Sequence, residues 1–138
     1  MEELYKIKLL DESIDFKASK VIPVFLTKYQ IGRGEECNLQ YDKSWISVSR
    51  LHAIIISENE KRWIEIPKES SNDLFVNKKK IIENKRKLKN KDTIQFSNNG
   101  PRIQILFKPS YDLNLWLIVS YAILGVSILL ALYTTFFR

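Results

Sequence analysis

Residues 113–137 contain no charged side chain, although charged residues make up 28% of the 138-residue sequence. That single run divides the polypeptide. At about 1.5 Å per residue, a helix over residues 116–137 reaches ~33 Å, enough to cross a hydrocarbon core of ~30 Å. Trp116 at one end and Tyr133, Phe136 and Phe137 at the other suit the two interfaces, where aromatic rings collect. The expectation is a transmembrane helix over 113–138, a linker over 108–112, and a folded domain over 1–107. The alternative is a buried core helix, against which the length of the uncharged run and its aromatic ends argue.

Charge sets the orientation. All 16 Asp/Glu and every one of the 22 Lys/Arg except Arg138 precede the apolar run. By the positive-inside rule, with Lys108 the basic residue nearest the span, the domain is expected in the cytoplasm and the C-terminus just beyond the opposite face. The N-terminal residues MEELYKIKLLDES lack the apolar core of a secretory signal. The single cysteine, Cys37, forms no internal disulfide and suits a reducing compartment. One cysteine and one histidine cannot build a Cys/His zinc site, so no metal and no cofactor are expected. No nucleophile, metal cluster or phosphate-loop motif is present, and an enzyme is not expected.

The first part of the chain has the period of strands. Residues 4–10 alternate Tyr5, Ile7 and Leu9 against Lys6 and Lys8. Residues 21–26 are a dense apolar run, and Pro23 within them argues for an edge position or an irregularity. The run AIIIS at 53–57 predicts a well-buried strand, and 58–61 a polar hairpin connection to 62–66, anchored by Trp63. A polar loop over 68–73 precedes a short strand at 74–76. The Lys-rich stretch to Lys91 predicts a hairpin around Ile81 and Ile82. Residues 93–96 and 102–107 pair across Asn98-Asn99-Gly100. Nothing before residue 113 has a helical period, so the fold class is all-β: a sandwich of antiparallel strands followed by one helix.

Within this pattern one segment, YQIGRGEECNLQYDKSWISVSRLH at 29–52, holds Gly32-Arg33 at one end and Ser49-Arg50-Leu51-His52 at the other. Ser70-Ser71-Asn72 follows on a polar loop. Taken singly, Arg33 reads as an arginine in a tight turn, His52 as a structural histidine, and Ser70-Ser71-Asn72 as a turn. Their order and spacing resemble the forkhead-associated (FHA) domain, a β-sandwich that binds phosphothreonine peptides through its loops. The resemblance spans roughly residues 4–107.

The resemblance implies a phosphopeptide site. Arg33 would contact the phosphate through its planar fork, which matches phosphate geometry. Ser49 and Ser71 would add hydroxyls, Arg50 a second contact, and Asn72 an amide to hold the peptide backbone. Gly32 would let the loop turn, His52 would tie the loops together, and Asn77 belongs to the same motif. Residues 88–94, LKNKDTI, resemble the family's closing segment. Three positions depart from the pattern: Asp73 and Leu74 stand for Gly-Thr, and Lys91 for a turn glycine. Asp73 places a carboxylate near the expected phosphate, unless it serves the glycine's turn and points away.

Two functional readings follow. One is a membrane-anchored module that binds phosphothreonine-containing proteins, an adaptor in Ser/Thr-kinase signalling. The other is an FHA-fold structural subunit of a membrane complex, as in type VII secretion, without phosphopeptide binding. The basic run Lys78, Lys79, Lys80, Lys85, Arg86, Lys87, Lys89 and Lys91 leaves room for anionic lipid contact or a merely solvated surface. The absence of an aromatic stacking platform argues against nucleic acid.

Overall fold

The computed structural model describes residues 2–108 and 113–137. They fall into two compact units, divided between Lys108 and Pro109. Residues 109–112 of the expected linker at 108–112, and the terminal Arg138, lie outside the described residues.

The first unit contains eleven strands: β1 (Tyr5–Leu9), β2 (Val21–Val24), β3 (Lys28–Gly32), β4 (Leu39–Gln40), β5 (Ala53–Glu58), β6 (Lys61–Glu65), β7 (Leu74–Val76), β8 (Lys79–Lys80), β9 (Lys85–Lys87), β10 (Thr93–Phe96) and β11 (Arg102–Leu106). One sheet runs β2-β1-β11-β10-β7-β8 and the other β4-β3-β5-β6-β9. Alternation decides which side chains enter the core. Tyr5, Ile7 and Leu9 of β1 meet Ile94 and Phe96 of β10 and Ile103 and Ile105 of β11 from one sheet. Tyr29, Ile31, Ala53, Ile55 and Ile64 enter from the other. Every residue of this core cluster lies between Tyr5 and Ile105, so the unit closes its own core.

Pro23 sits on the edge strand β2 opposite Lys6, where its missing N–H interrupts no inner ladder. The hairpin β5–β6 turns through Asn59 and Glu60, both at positive φ, the twist that two-residue hairpins favour. Asn77 and Lys78 make the same turn between β7 and β8.

Two expectations are corrected, and the antiparallel sandwich holds with one parallel pairing added. Only Ile55 of the isoleucine run is fully buried; Ile54 and Ile56 lie half-buried on the outer face, because β5 packs on one side only. The parallel pairing joins β3 and β4 at Ile31 and Leu39. The Lys-rich stretch is not a hairpin: β8 pairs with β7 in one sheet and β9 with β6 in the other. Between them residues 81–84 step across the sandwich, with Ile81 buried and Ile82 exposed.

The second unit is one helix, α1 (Leu113–Phe136), of 24 residues and ~36 Å. Its residues Leu117–Phe136 are long and apolar enough to cross a membrane. The hydroxyls of Ser127, Thr134 and Thr135 bond back to the carbonyls of Ile123, Ala131 and Ala131 at 2.8–3.0 Å. Such pairing satisfies these three hydroxyl protons in a medium without water.

Candidate phosphopeptide cleft

The loop after β3 and the loop before β5 are laced together by main chain. Arg33 N donates to Ser49 O at 3.0 Å and Gly34 N to Arg50 O at 2.8 Å. Gly32 is buried at this crossing, and a Cβ there would lie 2.3 Å from Arg50 O and 2.8 Å from Ser49 O. No glycine in the described residues has positive φ, so Gly32 serves close approach of two backbones rather than a left-handed turn. Lys91, where a turn glycine was expected, does take positive φ (71°), with its N–H bonded to Ile105 O at 2.7 Å.

Arg33 is held at its root: Nε donates to Val48 O, which fixes the plane of the guanidinium and leaves its terminal nitrogens for another partner. Cys37, buried beside it, directs its S–H to Arg50 O at 3.1 Å, and burial pushes its thiol up to about 11. That thiol is a brace for the loop rather than a nucleophile.

His52 is fully buried against the edge of Phe96, at 5.4 Å between ring centres. Its Nδ1 accepts from Ser49 N at 3.0 Å and its Nε2 faces Asp73 O at 2.8 Å. An acceptor at Nδ1 requires the proton at Nε2, so the ring is neutral and donates to Asp73 O. Burial lowers its affinity for a second proton, partly offset by the Asp73 carbonyl. One imidazole therefore ties the 49–52 loop to the 70–73 loop.

Ser49, also buried, receives Asn72 Nδ2 at 3.0 Å and lies 3.4 Å from Ser70 Oγ. An accepting hydroxyl keeps its own proton, so Ser49 has one donor for an incoming acceptor. Arg33, Ser49, Arg50, Ser71 and Asn72 all line one open cleft of roughly 650 Å³. Arg50 and Ser71 are exposed there, while Arg33 and Asn72 are half-buried.

Gly32, His52 and Asn77 lie outside the cleft. Asn77 caps the far end of β7: its Nδ2 donates to Asp92 Oδ1 at 2.9 Å, and its Oδ1 accepts Thr93 N at 3.0 Å. Asp73 turns its carboxylate to Lys80 at 3.3 Å and is absent from the cleft wall. Leu74, where a threonine was expected, is buried in the core.

The cleft holds two carboxylates that the sequence did not single out. Glu36 and Glu69 line it, together with Leu51. Glu69 adjoins Ser70 and Glu36 follows Arg33 by three residues, and only the meeting of the loops brings them to the same opening.

The pattern of the FHA domain matches residues 29–97. Among solved structures, the N-terminal FHA domain of S. cerevisiae Rad53p, in complex with a phosphothreonine peptide, is similar over 75% of this chain and 93% of that one, with a TM-score of 0.62 at 14% identity. The FHA domain of CT664 from Chlamydia trachomatis matches over 76% and 98%, with a TM-score of 0.61 at 20% identity. The FhaA FHA domain, complexed with the intracellular domain of Rv3910, matches over 73% and 98%, with a TM-score of 0.57 at 21% identity. No curated protein sequence matches the chain.

Proposed function

The chain belongs to the FHA domain family, and we propose that it is a membrane-anchored module that recognises phosphothreonine in a partner protein, an adaptor in Ser/Thr-kinase signalling. The observation that carries this reading is the convergence of Arg33, Ser49, Arg50, Ser71 and Asn72 on one cleft. A phosphothreonine brings nearly two negative charges and three acceptor oxygens. In this reading the terminal nitrogens of Arg33 take two of those oxygens, and the hydroxyls of Ser49 and Ser71 donate to the phosphate. Arg50 adds long-range attraction, and the Asn72 amide holds the peptide main chain. The protein acts by binding rather than by catalysis. Helix α1 supports the anchor, and in this reading the charge of the sequence sets the FHA unit on the cytoplasmic side.

A second reading, a structural subunit of a membrane complex without phosphate recognition, is favoured by one observation. Glu36 and Glu69 set two carboxylates against the two guanidiniums of the cleft. Calorimetric titration of residues 1–108 with a degenerate phosphothreonine peptide library, and with its unphosphorylated counterpart, separates the two. Phosphorylated peptides alone should bind. Arg33→Ala should cost about 2–5 kcal/mol, the range for breaking a charged pair, and Ser71→Ala about 1–3 kcal/mol. A folded domain that binds no phosphopeptide refutes recognition and leaves the structural reading.

A further inference from the structure

The lysines between β7 and β10 have no part in the cleft. Residues 78–91 carry Lys78, Lys79, Lys80, Lys85, Arg86, Lys87, Lys89 and Lys91 against the single acid Glu83, while the whole chain has a net charge of +6. The rest of the protein is therefore close to neutral, and the positive charge is local. The fold concentrates it further. β8 is the last strand of one sheet and β9 the last strand of the other. Five residue steps from Lys80 to Lys85 reach at most about 18 Å, so the two edges share one flank of the sandwich.

Lys80 pairs with Asp73 and Lys85 with Glu58, at 3.3 and 3.9 Å. Among the described residues Lys78, Lys79, Lys87, Lys89 and Lys91 make no ion pair, and all are exposed. At the crossing between these edges Ile82 is 89% exposed, the highest value of any large apolar side chain in the FHA unit. An isoleucine held out to water, within a basic stretch and on the four residues that join two sheets, has no partner in the fold.

We infer that this flank, Lys78–Lys80 and Lys85–Lys91 around Ile82, docks on the anionic surface of a lipid bilayer. Lysines meet the headgroups, and Ile82 enters the boundary between headgroup and acyl chain. Charge complementarity selects an anionic surface, and the isolated apolar tip selects one with a hydrocarbon layer beneath it, which nucleic acid lacks. The inference rests on the anchoring part of the proposed function, since a spanning α1 would keep the domain near headgroups. Juxtamembrane lysines act over about a Debye length, ~8 Å at physiological salt.

Residues 1–108, which close their own core, are tested by sedimentation with phosphatidylcholine vesicles, with and without about one-third phosphatidylglycerol. Binding is expected only with the anionic lipid, and should fall steeply between about 0.1 and 0.5 M salt. Lys79→Glu with Lys87→Glu and Lys89→Glu should weaken it on the order of 100-fold, each contact being worth about fivefold. The same reversal at Lys17, Lys20 and Lys43 should weaken it far less. Ile82→Ser should cost about tenfold by losing a buried apolar side chain. Equal binding to both vesicle types, equal effects of the two triple variants, or no effect of Ile82→Ser overturns the inference. So does strong retention on an RNA oligonucleotide with no vesicle binding. If docking fails while the full chain still fractionates with membranes, the anchor stands and this surface does not.

Discussion

Gly32 is the position at which the fold makes the cleft most vulnerable, and Gly32→Ala measures how much. The added Cβ would sit 2.3 Å from Arg50 O and 2.8 Å from Arg50 C and Ser49 O, all of them main chain. Carbon–oxygen contacts below about 3 Å are not tolerated, so the 49–50 backbone must retreat by about 0.7 Å. The bonds from Arg33 N to Ser49 O and from Gly34 N to Arg50 O, now 3.0 and 2.8 Å, would then stretch to about 3.5 Å or more, beyond useful length. Overpacking costs ~1–3 kcal/mol and each lost hydrogen bond ~1 kcal/mol, giving a loss of about 3–5 kcal/mol. In a domain of about 100 residues that lowers the melting temperature by roughly 12–30 °C.

Gly34→Ala is the matched control. Its Cβ would meet Glu36 Oε1 at 2.5 Å, the far end of a flexible exposed side chain that can swing away. Urea unfolding of residues 1–108 reads both variants, with the slope confirming that only stability has changed. The reasoning fails if Gly32→Ala costs less than about 1 kcal/mol, or if the two alanines cost the same.

His52 gives a pH signature. Its folded-state proton affinity is lowered by burial, so below about pH 6.5 the unfolded chain binds a proton that the folded chain refuses. Stability should therefore fall as pH drops from about 6.5 toward the lowered folded value, and the urea midpoint of His52→Asn should lack this component of the slope. In the cleft, Glu36→Gln with Glu69→Gln should tighten phosphothreonine peptides about tenfold by titration calorimetry, whereas Asp73→Asn should leave affinity unchanged because its carboxylate faces Lys80. Weaker binding in the double variant, or a large gain from Asp73→Asn, contradicts the placement of these charges.

Much of the sandwich was legible in the chain because burial on one face writes itself as alternation. Tyr5-Ile7-Leu9 and Ile103-Ile105 announce β1 and β11 in this way. The edge strands β8 and β9 could not be read so. Their sequences, KK and KRK, are exposed except for a half-buried Arg86, and a strand with no buried face has no period to detect. The short parallel pairing of β4 was hidden for a related reason, since two residues hold no pattern. At the cleft, Arg33, Ser49, Arg50, Ser71 and Asn72 could be picked out because they fall in fixed order along the chain. Glu36 and Glu69 could not, because their meeting depends on three loops, the first held to the second by Arg33 N and Gly34 N and the second to the third by His52. The direction of Asp73 was equally closed to inspection, being set by Lys80 across the β7–β8 turn.

The two carboxylates in the cleft bear on the proposed phosphate recognition, and magnitudes weigh them against the donors. Glu36 and Glu69 are exposed, so water screens them. At separations on the order of 6–8 Å in a medium close to water, each opposes one phosphate charge by roughly 0.5–0.7 kcal/mol, and salt reduces this further. Arg33 acts at contact distance with its plane fixed by Val48 O, where a charge-assisted fork is worth about 1.5–3 kcal/mol. Ser49 contributes from a buried position, where its hydroxyl is already oriented by Asn72 and little freedom remains to be lost. The near, oriented donors outweigh the distant, solvated acids. In the proposed reading the carboxylates would lower affinity by about tenfold without cancelling the site, and recognition would depend on Arg33 keeping its bond to Val48.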